Sequence, residues 1–152
     1  MTKEKAIIFD IDGTLADISH RLELFKQGKK KEFYGLMGDD GINEPVLMML
    51  EALNTCYKIN FLFVTGRMER HRAKTAKWLF DNTCYSGKQN KLLMRKENDY
   101  RNDAIVKKEI YEEYIKDNYD VIAVFDDRKR VVEMWLPLGL FVFDVGQGKG
   151  DF

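Results

Sequence analysis

The run Ala6-Ile7-Ile8-Phe9 has no polar position that could face water, and it leads directly into Asp10-Ile11-Asp12-Gly13-Thr14-Leu15. A short apolar, β-branched segment of this kind is buried on both faces, the situation of a strand inside a parallel sheet. Asp10 and Asp12 fall at its end. Carboxylates at i and i+2 of an extended chain project to the same side, with Cα atoms roughly 6.5 Å apart. Like charges so close, at the mouth of an apolar sheet, are costly unless a cation or chemistry requires them. Asp and Gly also punctuate ordinary strand-end turns, but such a turn needs no second aspartate.

The rest of the chain repeats the pattern of buried strand, polar turn and helix. Asp17 to Leu24 reads as a turn entering a short helix. The basic, glycine-dotted residues from Phe25 to Met37 read either as a small cap over the first strand's end or as a solvated helix with one packed aromatic face. Glu44 to Tyr57 forms an amphipathic helix capped by Asn43 or Glu44, with Pro45 early in it. Val46, Leu47, Leu50, Leu53 and Tyr57 face inward there, and Met48, Met49 and Cys56 complete the packing. Ile59 to Val64 is a second buried strand ending at Thr65-Gly66-Arg67, and a helix from Glu69 to Asn82 turns Ala73, Ala76, Trp78, Leu79 and Phe80 inward. Lys91 to Arg95 is an edge-like strand. After a polar loop, Asn102 or Asp103 caps a helix over 104–119 that carries Lys107 near its start. Val121 to Phe125 ends in Asp126-Asp127-Arg128, a helix over Lys129 to Leu136 stops at Pro137 and Gly139, and Leu140 to Phe143 is the last strand. This alternation predicts an α/β fold: a doubly wound parallel sheet of about five strands with right-handed crossovers.

At 152 residues with 45% apolar content, residues 1–152 make one domain with a full core, and a small cap insert is expected at about 23–43. Basic and acidic residues balance at 25 each, which argues against coating nucleic acid or membrane by bulk electrostatics and leaves room for a local patch. Cys56 and Cys84 lack metal-ligand spacing and read as reduced thiols. With no basic-then-apolar leader and no run long enough to span a bilayer, a cytoplasmic protein is expected.

Strands of an open parallel sheet point their carboxyl ends at one edge, where sites form. Asp10, Asp12, Thr65, Asp126, Asp127 and Lys107 therefore converge there. Two unit charges 4 Å apart repel by about 1 kcal/mol in bulk water and about 4 kcal/mol at an effective dielectric of 20. A hard divalent cation resolves this, and Mg²⁺ suits a site of carboxylates plus phosphate and water. Taken singly, Thr65-Gly66 could be a mere turn, Lys107 a solvated lysine and Asp126-Asp127 an N-cap; their order and placement together favour phosphoryl chemistry.

The hexapeptide from Asp10 to Leu15, with Thr65, Lys107 and Asp126-Asp127 following in order, resembles the signature of the haloacid dehalogenase (HAD) phosphohydrolase superfamily. The resemblance implies a mechanism through an aspartyl-phosphate. Asp10 would be the nucleophile; Asp12 would protonate the leaving oxygen and later activate water. Thr65 and the Gly66 amide would hold phosphoryl oxygens, and Lys107 would neutralise charge. Asp10, Asp126 and the Asp12 backbone carbonyl would bind Mg²⁺, with Asp127 orienting the metal's water or Lys107.

His20-Arg21, Thr65-Gly66-Arg67, Asp99-Tyr100-Arg101-Asn102-Asp103 and Asp126-Asp127-Arg128, followed by Val131-Val132-Glu133-Met134-Trp135, are similar to the 3'-phosphatase half of bacteriophage polynucleotide kinase-phosphatases. The similarity runs on to Gly150-Asp151-Phe152. It implies active-site roles for Arg21, Arg67, Arg101 and Asp103, with arginines on phosphate and Asp103 holding Lys107 or an arginine. Two features depart from the pattern. No GxxxxGK[ST] loop is present, since Gly146-Gln147-Gly148-Lys149-Gly150 does not fit one, so no kinase half is expected in these residues. The segment after Arg21 is longer than the family's and that after Arg67 shorter.

Two substrate classes stay open: a 3'-phosphorylated DNA or RNA end, or a free nucleotide or other small monoester with Lys29 to Tyr34 as a lid. A module that binds phosphate without turnover is disfavoured by the complete residue set. A separate kinase or ligase partner is compatible with the resemblance, and oligomeric state is not legible.

Overall fold

The computed structural model describes residues 2–149, so the expected similarity at Gly150-Asp151-Phe152 lies outside the described residues. The elements in chain order begin with β1 (Glu4–Phe9), β2 (Ala16–Asp17), α1 (Ser19–Lys26), α2 (Lys30–Gly35), β3 (Gly41–Ile42) and α3 (Glu44–Cys56). They continue with β4 (Asn60–Met68), α4 (Arg72–Asn82), β5 (Lys91–Arg95), α5 (Asp103–Ile110), β6 (Tyr119–Asp126), α6 (Lys129–Trp135) and β7 (Val142–Asp144). Among the described residues, β5-β4-β1-β6-β7 form one sheet in that order, every neighbouring pair parallel.

The central position of β1 follows from its sequence, because only a strand with helices on both faces can be apolar throughout. Ile7, Phe9, Phe61, Phe63 and Phe125 pack on one side against Val46 and Leu50 of α3 and Trp78 and Leu79 of α4. Ala6, Ile8, Leu62, Val64 and Val124 pack on the other against Val106 and Ile110 of α5 and Val131 and Trp135 of α6. The Phe9 ring lies flat on Phe125, centroids 4.6 Å apart, which tightens the seam between β1 and β6. The chain first crosses from β1 to β4 and later returns to place β6 on the other side of β1, so strand order reverses between β1 and β6. That reversal opens the crevice in which sites of this architecture lie.

Residues 18–40 form an insert at this edge, with a stem of paired strands in which Ala16 faces Ile42 and Asp17 faces Gly41. The sequence reading did not foresee this ribbon, because two-residue strands leave no periodic trace. In α3 the inward face is narrower than expected: Val46, Leu47 and Leu50 are buried, but Met48, Met49, Cys56 and Tyr57 are exposed. In α4, Thr75, Trp78 and Leu79 are the buried residues, and Ala73 and Phe80 face out. Helical spacing locates a face but not how wide a neighbour covers it. The expected helix over 104–119 is α5 followed by a π-helical turn, Tyr111–Ile115, whose buried residue is Ile115. No helix among the described residues is long and apolar enough to cross a membrane.

Candidate active site

Asp10 follows β1 directly, and its backbone N–H donates to the Phe125 carbonyl at 3.0 Å, fixing it beside the end of β6. Asp126 ends β6. Oxygens of Asp10, Asp126 and Asp127, one from each, lie within 4.8 Å of one another. Lys107 reaches into this group from α5, donating to Asp10 Oδ1 at 2.7 Å and Asp126 Oδ2 at 2.8 Å. Burial alone would lower the Lys107 ammonium's pKa, but Asp10 and Asp126 outweigh it and hold the pKa above its ordinary value. Burial, with Asp126 and Asp127 as like charges, outweighs Lys107 at Asp10 and pushes its carboxyl well above the carboxylate range; Asp127 is shifted the same way, mainly by burial. Three carboxylates against one ammonium are short of positive charge. Hard oxygen donors in this arrangement could hold a hard divalent cation.

Thr14 Oγ1 lies 3.1 Å from Asp127 Oδ1 and 3.3 Å from Asp10 Oδ2, so its hydroxyl sits between two acceptors. Gly13 makes that approach feasible: its φ is +84°, and a Cβ there would lie 2.2 Å from Asp127 Oδ2. Gly13→Ala should cost roughly 1–3 kcal/mol through backbone strain and displaced Asp127. Urea unfolding checks this, and a loss below about 0.5 kcal/mol, the level of an ordinary surface change, would mean that the loop relaxes.

Asp12 belongs to a second group. Its carboxylate accepts from Arg21 Nη2 at 2.7 Å and from Arg67 Nε at 2.9 Å. Both guanidiniums also reach Asp40, Arg21 through Nε at 2.6 Å and Arg67 through Nη2 at 3.0 Å. Burial would raise the Asp12 carboxyl's pKa, but Arg67 and then Arg21 overcome it and hold it well below the carboxylate range. Since this carboxylate is committed to the arginines, the metal ligand expected from Asp12 could only be its backbone carbonyl. Asp127 lies with Asp10 and Asp126 in the acidic group, the convergence expected from the strand ends, whereas the resemblance implied only an orienting role for it.

Thr65 is buried near the carboxyl end of β4, its Oγ1 accepting the Arg67 N–H at 3.2 Å. Asp103 holds two arginines, Arg95 and Arg128, through its two carboxylate oxygens. It packs so closely on Gly66 that a Cβ at 66 would lie 2.8 Å from Asp103 Oδ1. Arg101 lines the same cavity as Asp10 and Arg67, its guanidinium engaged with Asp99 and Glu109 and 48% exposed. Sequence reasoning missed Asp40, Arg95 and Arg128 as site residues. Arg95, buried at the end of a strand read only as edge-like, left the weakest signal; Arg128 stood within a quoted motif, and Asp40 within the expected insert.

Of these groups, Asp10, Asp12, Arg67, Asp103, Lys107 and Arg128 line one cavity of about 790 Å³. Its other walls come from the insert, through Phe25, Lys30, Phe33 and Tyr34, and from the β4–α4 turn, through Arg70 and His71.

The family model of the polynucleotide kinase PNKP phosphatase domain matches residues 4–152. A protein of Autographa californica nuclear polyhedrosis virus, provisionally named bifunctional polynucleotide kinase/RNA ligase, is 31% identical over 93% of this chain, which spans 19% of that protein. A chain in the structure of the Pnkp1/Rnl/Hen1 RNA repair complex superposes with TM-score 0.78 at 33% identity, covering 98% of this chain and 43% of that one. Both relatives are thus more than twice this chain's length. The tungstate-bound class C acid phosphatase from Bacillus anthracis matches with TM-score 0.63 at 17% identity, over 84% of this chain and 53% of that one, a likeness of fold.

Proposed function

The chain belongs to the family of polynucleotide kinase PNKP phosphatase domains, and on that premise we propose that it is a Mg²⁺-dependent phosphomonoesterase acting through an aspartyl-phosphate, with terminal 3'-phosphates of polynucleotides as its substrate. The observation that carries this reading is Asp10 on Lys107 at 2.7 Å, inside a three-carboxylate group and in the same cavity as Arg67. Asp10, Asp126 and Asp127 would hold the ion through carboxylate oxygens. Once bound, Mg²⁺ supplies charge neutralisation and alignment of the phosphate.

Asp10, as the carboxylate, attacks phosphorus in line; an Asp10 O–P bond forms as the ester P–O bond breaks. Lys107 offsets charge on the nucleophile and the phosphate. Thr65 Oγ1 already accepts the Arg67 N–H, which leaves its own O–H to donate to a phosphoryl oxygen. Asp12, protonated from solvent as substrate binds, gives that proton to the leaving oxygen, then removes one from the water that attacks the aspartyl-phosphate, releasing phosphate; that proton returns to solvent as the arginines close on Asp12 again. In the substrate-free state Arg21 and Arg67 keep Asp12 anionic. Donors that turn to the substrate's phosphate are donors withdrawn from Asp12, whose proton affinity rises when an acid is needed.

The insert over 18–40 serves as the minimal cap expected at about 23–43. The relatives' names, which join kinase and ligase activities or an RNA repair complex, support a setting in which a kinase or ligase works on the same ends. A second reading, a phosphatase of free nucleotides, is favoured by the cavity's size and its basic wall at Lys30 and Lys31. Both are tested with Mg²⁺ on 3'- and 5'-phosphorylated oligonucleotides beside 3'- and 5'-mononucleotides. The 3'-phosphorylated oligonucleotide should be preferred, and chelation by EDTA should remove turnover until Mg²⁺ is restored. Preference for 5'-mononucleotides would replace the first reading with the second.

A further inference from the structure

The mechanism uses the floor of the cavity and leaves its aromatic wall without a role. Tyr34, on α2, stacks on His71, which stands before α4: ring centroids are 5.1 Å apart and the planes 18° from parallel. Phe33 meets Tyr34 edge-on at 5.1 Å, and the Arg21 guanidinium lies 4.2 Å above the Phe33 ring. Lys74 Nζ donates to the Gly35 carbonyl at 3.1 Å, tying the end of α2 to α4. The Tyr34 ring is therefore immobilised before any ligand arrives, and the ordering cost of a binding surface is already met.

Its position relates it to the reacting end. Tyr34 and His71 line the same cavity as Asp10 and Asp12. Burial, then the charges of Asp12 and Asp103, push the Tyr34 hydroxyl above its ordinary pKa, so the ring stays neutral within reach of their field. Lys30, Lys31 and Arg70 line the cavity around it, although basic and acidic residues of the whole chain cancel at 25 each. A flat neutral ring beside cationic side chains is how proteins hold unpaired nucleic acid, bases stacking on the ring while cations follow the backbone.

We infer that Tyr34, backed by His71, is the stacking platform for the base of the 3'-terminal nucleotide, so that the site takes a polynucleotide end whose last base has a face free to stack. The assignment rests on the polynucleotide reading above and adds to it which end structure is accepted and which residue selects it. A 3'-terminal base stacked on both sides, as at a nick, has no face to offer Tyr34 until it is displaced.

The test compares two single-stranded, 3'-phosphorylated oligonucleotides that differ in the 3'-terminal residue, one carrying its base and the other abasic. Wild-type kcat/KM should be higher on the intact oligonucleotide by roughly tenfold to a hundredfold, the range of one base–aromatic stack. Tyr34→Ala should erase that preference, mainly through KM, and Tyr34→Phe should keep it. A ring that merely holds the insert on α4 would instead give equal losses on both oligonucleotides, which would overturn the assignment. Wild-type enzyme indifferent to the missing base would overturn it too, without any variant having to fold. Wild-type enzyme that hydrolyses p-nitrophenyl phosphate but neither oligonucleotide would bring down the polynucleotide reading itself.

Discussion

Asp10→Asn should reduce phosphatase turnover by at least about 10⁴-fold, the scale on which loss of a covalent nucleophile is felt. An amide of the same shape cannot attack phosphorus, yet it fits where the carboxylate stood. Lys107 keeps its bond to Asp126 at 2.8 Å, and one of three mutually repelling carboxylates is gone. The folded state should therefore survive, and near-UV circular dichroism with a urea titration checks that it does. The variant should also lose the burst of one phosphate-labelled protein per active site that the wild type gives on rapid acid quench. Residual turnover above about one per cent in a folded sample would assign the attack to water and reduce Asp10 to a cation ligand.

Asp40→Ala should destabilise the fold by about 3–5 kcal/mol, the cost of removing one partner from a buried ion pair. The Asp40 side chain is fully buried, bonded to Arg21 and Arg67, and its Oδ1 lies 2.9 Å from His20 Nε2. Its backbone carbonyl accepts Trp78 Nε1 at 2.8 Å, so the residue also anchors the insert to α4. Asp12 and Asp40 balance Arg21 and Arg67 as a neutral quartet. Alanine at 40 would leave buried guanidinium donors unsatisfied, and the arginines would turn wholly to Asp12. Asp40→Asn keeps an acceptor oxygen and should lose less. Urea unfolding measures both, and kcat/KM measured on the folded fraction should fall in the same order, because Arg21 and Arg67 lose the side chain that aims them. A change under about 1 kcal/mol for the alanine variant would mean that water satisfies the arginines and the quartet is not structural.

Much of the site was legible because parallel topology turns a linear order into a spatial one. Once β1, β4 and β6 are read as buried parallel strands, the residues after them share one edge wherever the strands fall in order. Asp10, Thr65 and Asp126 could thus be placed together without any knowledge of side-chain contacts, and Lys107 one turn into the helix preceding β6 was within reach. Arg101 shows what a motif leaves open: the backbone places it among the cavity's lining residues, and its pairing there with Asp99 two residues away and Glu109 eight residues away was not legible from spacing alone.

The apolar runs, the breaks after them and the identity of the acidic and basic groups determined the architecture, the edge at which charged groups gather and the position of Asp10 there, since burial on both faces and chain direction are properties of local composition. Which arginine meets which carboxylate was decided only in the folded molecule. Arg67 reaches Asp12 and Asp40 across 55 and 27 residues of chain, and Asp103 reaches Arg128 across 25. Such pairings depend on the distance left between packed elements. The sequence carries no record of that distance beyond the charges themselves, and the same gap decides that Tyr34 meets His71 while Met48 and Phe80 stay largely exposed.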